Sequence, residues 1–495
     1  MATGAVPAAR IRSLGAGDVG ASGGYVLYWM TAQRRLGYNF AMQRACDWAR
    51  ELRLPLVVLE PLNVDYRWAC DRFHAFVIEG MRDHQRAAAG LPFTYLPYVE
   101  PNPKAGDGLF ATLAGSAAVV IADDYPCYFM PALLRVARRH VPVRFEAVDS
   151  NGLMPLSLSE KAFLRAFDFR RFLQKNLRPH LDEVPLTAPW AGLEKLKKWQ
   201  PDRSLDRWEF LSESQDIDAL LARLPIDHEV GRVATPGGPR AAEDRLEQFL
   251  DHGLERYADD RNNASLEGTS GLSSYLHFGH LSTHEILERI AESKDWSPAR
   301  VSQKTSGSSE GWWNVDRSTD SFLDELVTWR ELGFHFCQHR RDYSRFDSLP
   351  DWALDTMAKH ESDRRAYLYS LEQFDKSETH DELWNAAQRQ LVREGRIHNY
   401  LRMLWGKKIL EWTPNGREAL AVMIELNNRY ALDGRDPNSY SGIFWVLGRF
   451  DRAWGPEREI FGTLRYMSSD NTRRKMPVRP YLEKYARTPS AGQLF

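Results

Sequence analysis

Asn427-Asn428-Arg429-Tyr430-Ala431-Leu432-Asp433-Gly434-Arg435-Asp436-Pro437-Asn438-Ser439-Tyr440-Ser441-Gly442-Ile443-Phe444-Trp445 decides how the C-terminal half of this chain is read. Amides, carboxylates and arginines stand where a helical protein would ordinarily bury Leu and Val. They surround an Asp-Gly turn and an Asp-Pro turn, and the stretch closes on an indole, with Asp451 close behind. Polar groups inside a helical core must be paired or must hold something polar. Three tryptophans upstream, Trp384, Trp405 and Trp412, fall in a segment with helical spacing. Together these features predict a bulky aromatic cofactor ringed by indoles.

Working outward, strands disappear after about Ala241, and amphipathic helices follow one another. Residues 24–148 read differently. Tyr25–Trp29, Pro55–Leu59, Phe93–Leu96, Ala118–Ala122 and Val143–Val148 are short apolar runs, separated by helix-like stretches such as Phe40–Leu52 and Asp71–Ala89. This alternation predicts a parallel sheet with helices on both faces. No Gly-x-Gly-x-x-Gly follows the first strand, which argues against NAD. Between the two halves, recurring prolines (Pro155, Pro179, Pro185, Pro189, Pro201, Pro225) predict a connector. The expected layout is a tail over 1–22, an α/β domain over 23–150, a connector over 151–230 and an all-helical domain over 231–495. The tail carries arginines and only one acid, which leaves a transit peptide open.

Composition bounds the function. A chain of 495 residues needs more than one core. A net charge of −2 gives no global sign of a polyanion partner, but two basic knots stand out. One is His339, Arg340, Arg341 and Arg345; the other is Arg465, Arg473, Arg474, Lys475 and Arg479. Each alone reads as a solvated face, and together they permit a surface for phosphates. Four scattered cysteines, with no Cys-x-x-Cys, suit a reduced cytosolic setting without disulfides or zinc. No run reaches the ~18 apolar residues of a membrane span.

Three further segments carry chemistry. Gly268-Thr269-Ser270-Gly271-Leu272-Ser273-Ser274 could expose backbone N–H groups to a phosphate just before a helix; an ordinary Ser/Thr N-cap is the commoner reading. His277 and His280 that follow have no third ligand and read as core or capping histidines, not metal ligands. In Phe322–Leu332, Glu325 and Trp329 are four apart and share a helical face, so a carboxylate and an indole could address one base-like ligand. The competing reading is a surface ion pair beside a core tryptophan. In Asn399–Trp412, Trp405 and Trp412 lie two turns apart, with Cα atoms about 10 Å apart. Trp384 sits on the preceding helix. Indoles so spaced could pass an electron, although plain core is the commoner use.

Taken in order, these segments resemble the photolyase/cryptochrome family, and within it the class II cyclobutane pyrimidine dimer photolyases. The likeness runs from Tyr25-Val26-Leu27-Tyr28-Trp29-Met30 to Tyr481-Leu482-Glu483-Lys484-Tyr485. It is densest in Thr269–Gly279, Leu383–Trp412 and Asn427–Tyr466, including Glu457-Arg458-Glu459-Ile460-Phe461-Gly462. The resemblance implies an α/β domain joined to a helical domain that holds FAD, in a monomer acting on UV-damaged DNA, with an antenna pigment (a deazaflavin or another) left open. It implies that Tyr257 and Thr269, Ser270, Gly271, Leu272 and Ser273 meet the FAD phosphates and ribityl chain. Arg402 and Asp433 would pair beside the flavin ring, Asn427 would face its N5, and Gly434, Asp436 and Asn438 would complete the lining. Glu325 would hydrogen-bond the lesion carbonyls, Trp329 and Trp445 would wall the lesion pocket, and Met403 would lie beneath it. Trp405, Trp412 and Trp384 would relay electrons, and Arg465, Arg473, Arg474, Lys475 and Arg479 would contact DNA.

Departures from the family pattern are Leu404 for an aromatic, Ser274 for proline, Ser439 for glycine, Phe444 for a small residue and Phe450 for histidine. Leu404 removes one auxiliary electron route, and Phe444 is expected to narrow the lesion pocket. The leading reading is light-driven repair of cyclobutane dimers. The alternative is a cryptochrome-like receptor, or a homologue with altered lesion choice. Receptors often carry a long C-terminal extension, and the stop at Phe495, soon after the last expected helix, favours repair.

Overall fold

A computed structural model describes residues 4–487. Among the described residues, six strands form one sheet: β1 (Ile11–Ser13), β2 (Tyr25–Trp29), β3 (Leu56–Leu62), β4 (Thr94–Val99), β5 (Ala117–Asp123) and β6 (Arg144–Val148). Their order is β1-β6-β5-β2-β3-β4. All pairings are parallel except β1 with β6, which is antiparallel. β2 and β5 are buried at every position, because helices cover both faces of a parallel sheet. Asn39 caps the helix Phe40–Leu52 by accepting from the amides of Ala41 and Met42, and Arg53 ends it in the left-handed region.

The first 22 residues are not simply a tail. Residues 8–10 form a helical turn and 11–13 the edge strand β1. Arg10 is 1% exposed, with its guanidinium donating to the carbonyls of Gly152 and Leu153 and lying over the Phe40 ring. A buried guanidinium with carbonyl partners anchors the segment in a way that its Ala/Gly-rich composition concealed. Residues 1–3 of the expected tail lie outside the described residues.

Chain proximity divides the molecule into two compact units: residues 1–160, 173–247 and 272–301, and residues 161–172, 248–271 and 302–495. Helical sequence therefore does not all belong to the second unit. The helix Thr283–Ser293 sits in the first, where His284 meets Phe40 edge-on at 5.3 Å and Glu288 bonds Tyr38. The second unit contains no named strand among the described residues. No helix among the described residues is long and apolar enough to cross a membrane.

The sheet reverses direction of growth between β2 and β5, where open α/β folds ordinarily bind ligands. Here the chain fills its own crevice. Asp123 Oδ2, fully buried at the end of β5, accepts from the backbone amides of Thr31 (2.8 Å), Ala32 (2.7 Å) and Gln33 (3.0 Å). Its Oδ1 accepts from the Tyr28 hydroxyl at 2.8 Å. A dinucleotide fold aims such amides at a phosphate; in this chain a carboxylate occupies them, which gives the missing glycine motif a structural counterpart. Asp123→Ala would leave three backbone amides and the Tyr28 hydroxyl without this acceptor, and is expected to destabilise the protein by roughly 3 kcal/mol or more. Thermal unfolding of the purified variant checks this, with Asp123→Asn recovering part of the loss.

Candidate functional site

The second unit gathers most of the predicted residues on a few helices. Residues 317–339 form one continuous helical run: Arg317–Leu323, a π-helical turn Asp324–Trp329, and Arg330–His339. The sequence predicted an uninterrupted amphipathic helix here. The wider π turn is a local departure of a kind that recurs at functional sites, and it carries both Glu325 and Trp329.

Glu325 is half-buried, its side chain 28% exposed, and Arg261 Nη1 is 2.8 Å from its Oε1. Burial pushes the Glu325 carboxyl above the ordinary carboxylate range, with Arg261 opposing and Asp324 reinforcing that rise. Tyr257 joins this group: it is buried against Phe249 and Phe322, and the Arg261 guanidinium lies 5.5 Å from its ring centroid. Arg261 was not singled out from sequence. Its place just after the short helix Tyr257–Asp260 gave no signal of its own.

Trp329 and Trp445 stack, with ring centroids 4.6 Å apart and planes 16° from parallel. They form one paired face rather than two separate walls, since no ring fits between planes that close. The Arg170 guanidinium lies 5.7 Å from the Trp329 centroid and makes a bidentate pair with Asp324 at 2.8 Å. Phe444, expected to narrow a pocket, is fully buried with Phe336 at 5.8 Å, so its ring belongs to the core. Leu404 is likewise core.

The polar stretch is helical to Tyr430, turns through residues 431–436, and resumes as the helix Pro437–Val446. Asp436 caps that helix through the Asn438 amide at 2.7 Å. Arg402 Nη2 meets both Asp433 oxygens at 3.2 and 3.3 Å. The buried Asn427 amide donates to Ser439 Oγ at 2.6 Å, so the serine that replaces a usual glycine fixes the orientation of this side chain. Gly434 packs under the Asn427 carbonyl, where a Cβ would come within 2.8 Å. Met403 is half-buried beside Arg402. Of the small-residue loop, Thr269, Ser270 and Gly271 close one segment of the second unit, while Leu272 and Ser273 open a segment of the first. The helix Ser273–Phe278 begins there without a side-chain cap.

The indoles connect in an order the sequence did not show. Trp384 lies between the other two, stacked on Trp405 at 6.5 Å and 3°, and edge-on to Trp412 at 6.0 Å. Trp384 Nε1 donates to the Trp405 carbonyl and Trp405 Nε1 to Gln388. Beyond Trp412 the rings continue to Tyr369 (5.6 Å) and His380 (5.0 Å), and from His380 to the exposed Tyr367 (3.8 Å). Those outer rings escaped the sequence reading because they lie on loops without periodicity.

A hairpin spans Trp454 to Thr463, closed by Trp454 N–H to the Thr463 carbonyl at 2.8 Å. Trp454 is 36% exposed, with the guanidiniums of Arg452 and Arg465 at 4.9 and 5.4 Å from its ring. Arg473, Arg474 and Lys475 end the short helix Ser469–Lys475. Between hairpin and helix lies a recess of about 250 Å³ lined by Tyr400, Trp454, Arg458, Arg465, Tyr466 and Lys475, among others. Arg479 lies in the next helix, paired with Glu483. His280, in the first unit, stacks on Phe76 and is a core histidine. No group of three or more His, Cys, Asp or Glu among the described residues could hold a metal.

Lys407 was also missed. It is fully buried, bonded to the Val446 carbonyl at the end of the Trp445 helix. Burial pulls its amine down to about 7, with Asp451 opposing the fall and Arg465 adding to it.

No protein-family model matches the chain. A deoxyribodipyrimidine photo-lyase of Methanothermobacter thermautotrophicus is 31% identical over 480 residues, spanning 97% of this chain and 98% of the relative. One from Oryza sativa subsp. japonica is 33% identical over 508 residues, spanning 98% and 91%. The crystal structure of a bacterial class III photolyase from Agrobacterium tumefaciens superposes with a TM-score of 0.66 at 15% identity, covering 94% of this chain and 87% of that one. That likeness bears on the fold.

Lys407 sets a pH dependence. Unfolded, the amine keeps its proton to about 10.5; folded, only to about 7. Between those values the unfolded chain binds more protons, so stability rises with pH there, and the cost of the buried charge is full below 7. Lys407→Met is expected to unfold at higher temperature than the parent at pH 6, with the difference closing by about pH 10. A pH-independent difference would remove the charge from the explanation.

Proposed function

The chain belongs to the photolyase/cryptochrome family, and we propose that it is a class II deoxyribodipyrimidine photo-lyase, a carbon–carbon lyase that repairs cyclobutane pyrimidine dimers in DNA under light. The observation that carries this reading is the Glu325 carboxyl. It is half-buried beside Arg261, one turn from an indole that stacks on Trp445, and burial raises its proton affinity.

The family implies FAD, and the residues present fit it. Arg402 and Asp433 are ion-paired yet keep 23% and 15% side-chain exposure, as a lining does. Asn438 is exposed on a helix of mostly buried neighbours, and a Cβ at Gly442 would meet nothing within 4 Å. Arg402, Asp433, Asn427, Gly434, Asp436 and Asn438 would hold the ring system, and Tyr257 with Thr269, Ser270 and Gly271 the phosphates and ribityl chain. When bound, FAD supplies light absorption and the electron that opens the cyclobutane ring.

The chain's own residues do the rest. Glu325 would share a proton-bearing hydrogen bond with a carbonyl of the lesion, its protonation favoured by burial and opposed by Arg261. Arg261 holds the carboxyl in place. The Trp329–Trp445 pair offers a flat apolar face to the extruded lesion. Weakened pairing lowers the cost of that extrusion. Trp405, Trp384 and Trp412 form the path for electrons from the exterior. Trp454, between guanidiniums, and the cations Arg465, Arg473, Arg474, Lys475 and Arg479 form the surface for DNA, with salt-sensitive and sequence-tolerant affinity.

The test is irradiation of the purified, pre-reduced protein with an oligonucleotide holding one dimer. Repaired thymines are expected, and unchanged lesion after prolonged blue light would leave the receptor reading in its place. Glu325→Ala is expected to lower the repair yield on the order of tenfold or more while leaving the flavin spectrum intact; loss of flavin would contradict the role. Trp405→Phe is expected to slow photoreduction but spare repair by pre-reduced protein, and equal loss of both would refute the relay.

A further inference from the structure

We infer that His360 is a positioning residue that latches the Trp454–Thr463 hairpin onto the end of the helix Asp351–Lys359, holding the hairpin's indole and cations set for DNA. This rests on the reading of that hairpin as a DNA-facing surface.

His360 follows the last residue of the helix, and both of its ring nitrogens face carboxylates. Nδ1 lies 2.6 Å from Asp363 Oδ2, and Nε2 lies 2.8 Å from Glu457 Oε1 on the hairpin. Carboxylates only accept, and a neutral imidazole has only one N–H. Both contacts are therefore hydrogen bonds only when the ring is an imidazolium; neutral, one nitrogen lone pair faces an anion.

The hairpin is tied to the same place at two further points. Asp363 Oδ2 also accepts from the Ile460 amide at 2.8 Å, and Thr356 Oγ1 accepts from the Thr463 amide at 3.0 Å. Gly462, at φ +52°, passes so close that a Cβ would lie 2.1 Å from Thr356 Oγ1 and 2.8 Å from His360 Cδ2. Only glycine allows the hairpin to seat there. The other charges around the ring are few. Lys359 also pairs with Glu457 at 2.9 Å but is 64% exposed, so it is a weak tie. The Arg365 guanidinium donates to the His360 carbonyl rather than to the ring.

The carboxylates hold the imidazolium above its ordinary value of 6.5, Glu457 first and Asp363 second. A raised value means that the latch is complete below about pH 6.5 and released as pH climbs through the folded value.

Two readouts on the full-length protein test the latch between pH 6 and 9 at fixed salt. In the first, binding to a duplex holding one cyclobutane dimer is expected to weaken with rising pH in the parent. His360→Gln should bind roughly three- to tenfold more weakly at pH 6, without that pH step. His360→Arg, permanently charged, should restore tight binding across the range. In the second, amide exchange at Ile460 and Thr463 in DNA-free protein should be faster in His360→Gln than in the parent at pH 6. Parent-like exchange and a parent-like pH profile in His360→Gln would overturn the latch. A parent that binds damaged and undamaged duplex alike would instead count against the repair function, while the exchange readout would still decide the latch.

Discussion

The absence of a side chain at Gly333 is the constraint on which the rest of the site depends. A Cβ there would lie 2.9 Å from the Cα and nitrogen of Asn438, so the helices Arg330–His339 and Pro437–Val446 meet backbone to backbone. One turn before Gly333 is Trp329, and two turns after Asn438 is Trp445. Close approach of the two helices is what lets these indoles stack at 4.6 Å. It also brings the π-helical turn bearing Glu325 and the polar stretch from Asn427 into one frame. An ordinary residue at 333 would force the helices apart, because packed interiors do not yield by an ångström without cost.

Around that contact, the molecule places charge where burial makes it matter. Arg402 with Asp433 and Glu325 with Arg261 are half-buried pairs, near enough to the interior to be felt and open enough to meet a ligand. Lys407 is more extreme, a buried amine bonded to the Val446 carbonyl at the last turn of the Trp445 helix, where burial disfavours its charge. In the α/β unit the same logic runs the other way: Asp123 satisfies three amides that would otherwise invite an anion. One sheet crevice is closed by its own carboxylate, while in the helical unit Arg402, Asp433, Glu325 and Arg261 stay partly accessible.

The tryptophans make a related point about geometry. Spacing along the chain pairs Trp405 with Trp412, yet the ring contacts run through Trp384 from another helix. Helix–helix packing, not heptad-like spacing, sets the order of rings. Extension to Tyr369 and His380 depends on loops brought against Trp412, and loop residues leave no periodic trace.

Sequence by itself determined the alternation of strands and helices over 24–148, the helical character beyond about Ala241, and the polar stretch 427–445, because periodicity and misplaced polarity are local properties of the chain. Trp384, Asp433 and Glu325 could be singled out for the same reason, whereas Arg402 came only from the resemblance to a known family. Tertiary structure alone decided that the opening segment adds an edge strand held by Arg10 and that the helix Thr283–Ser293 belongs with the sheet. It also decided that Glu325 meets Arg261, Asp123 caps the crevice, and His360 grips a hairpin about a hundred residues away. Each of those is a contact between residues distant in sequence, and its signal is a partner's position rather than a pattern, so no window of sequence contains it.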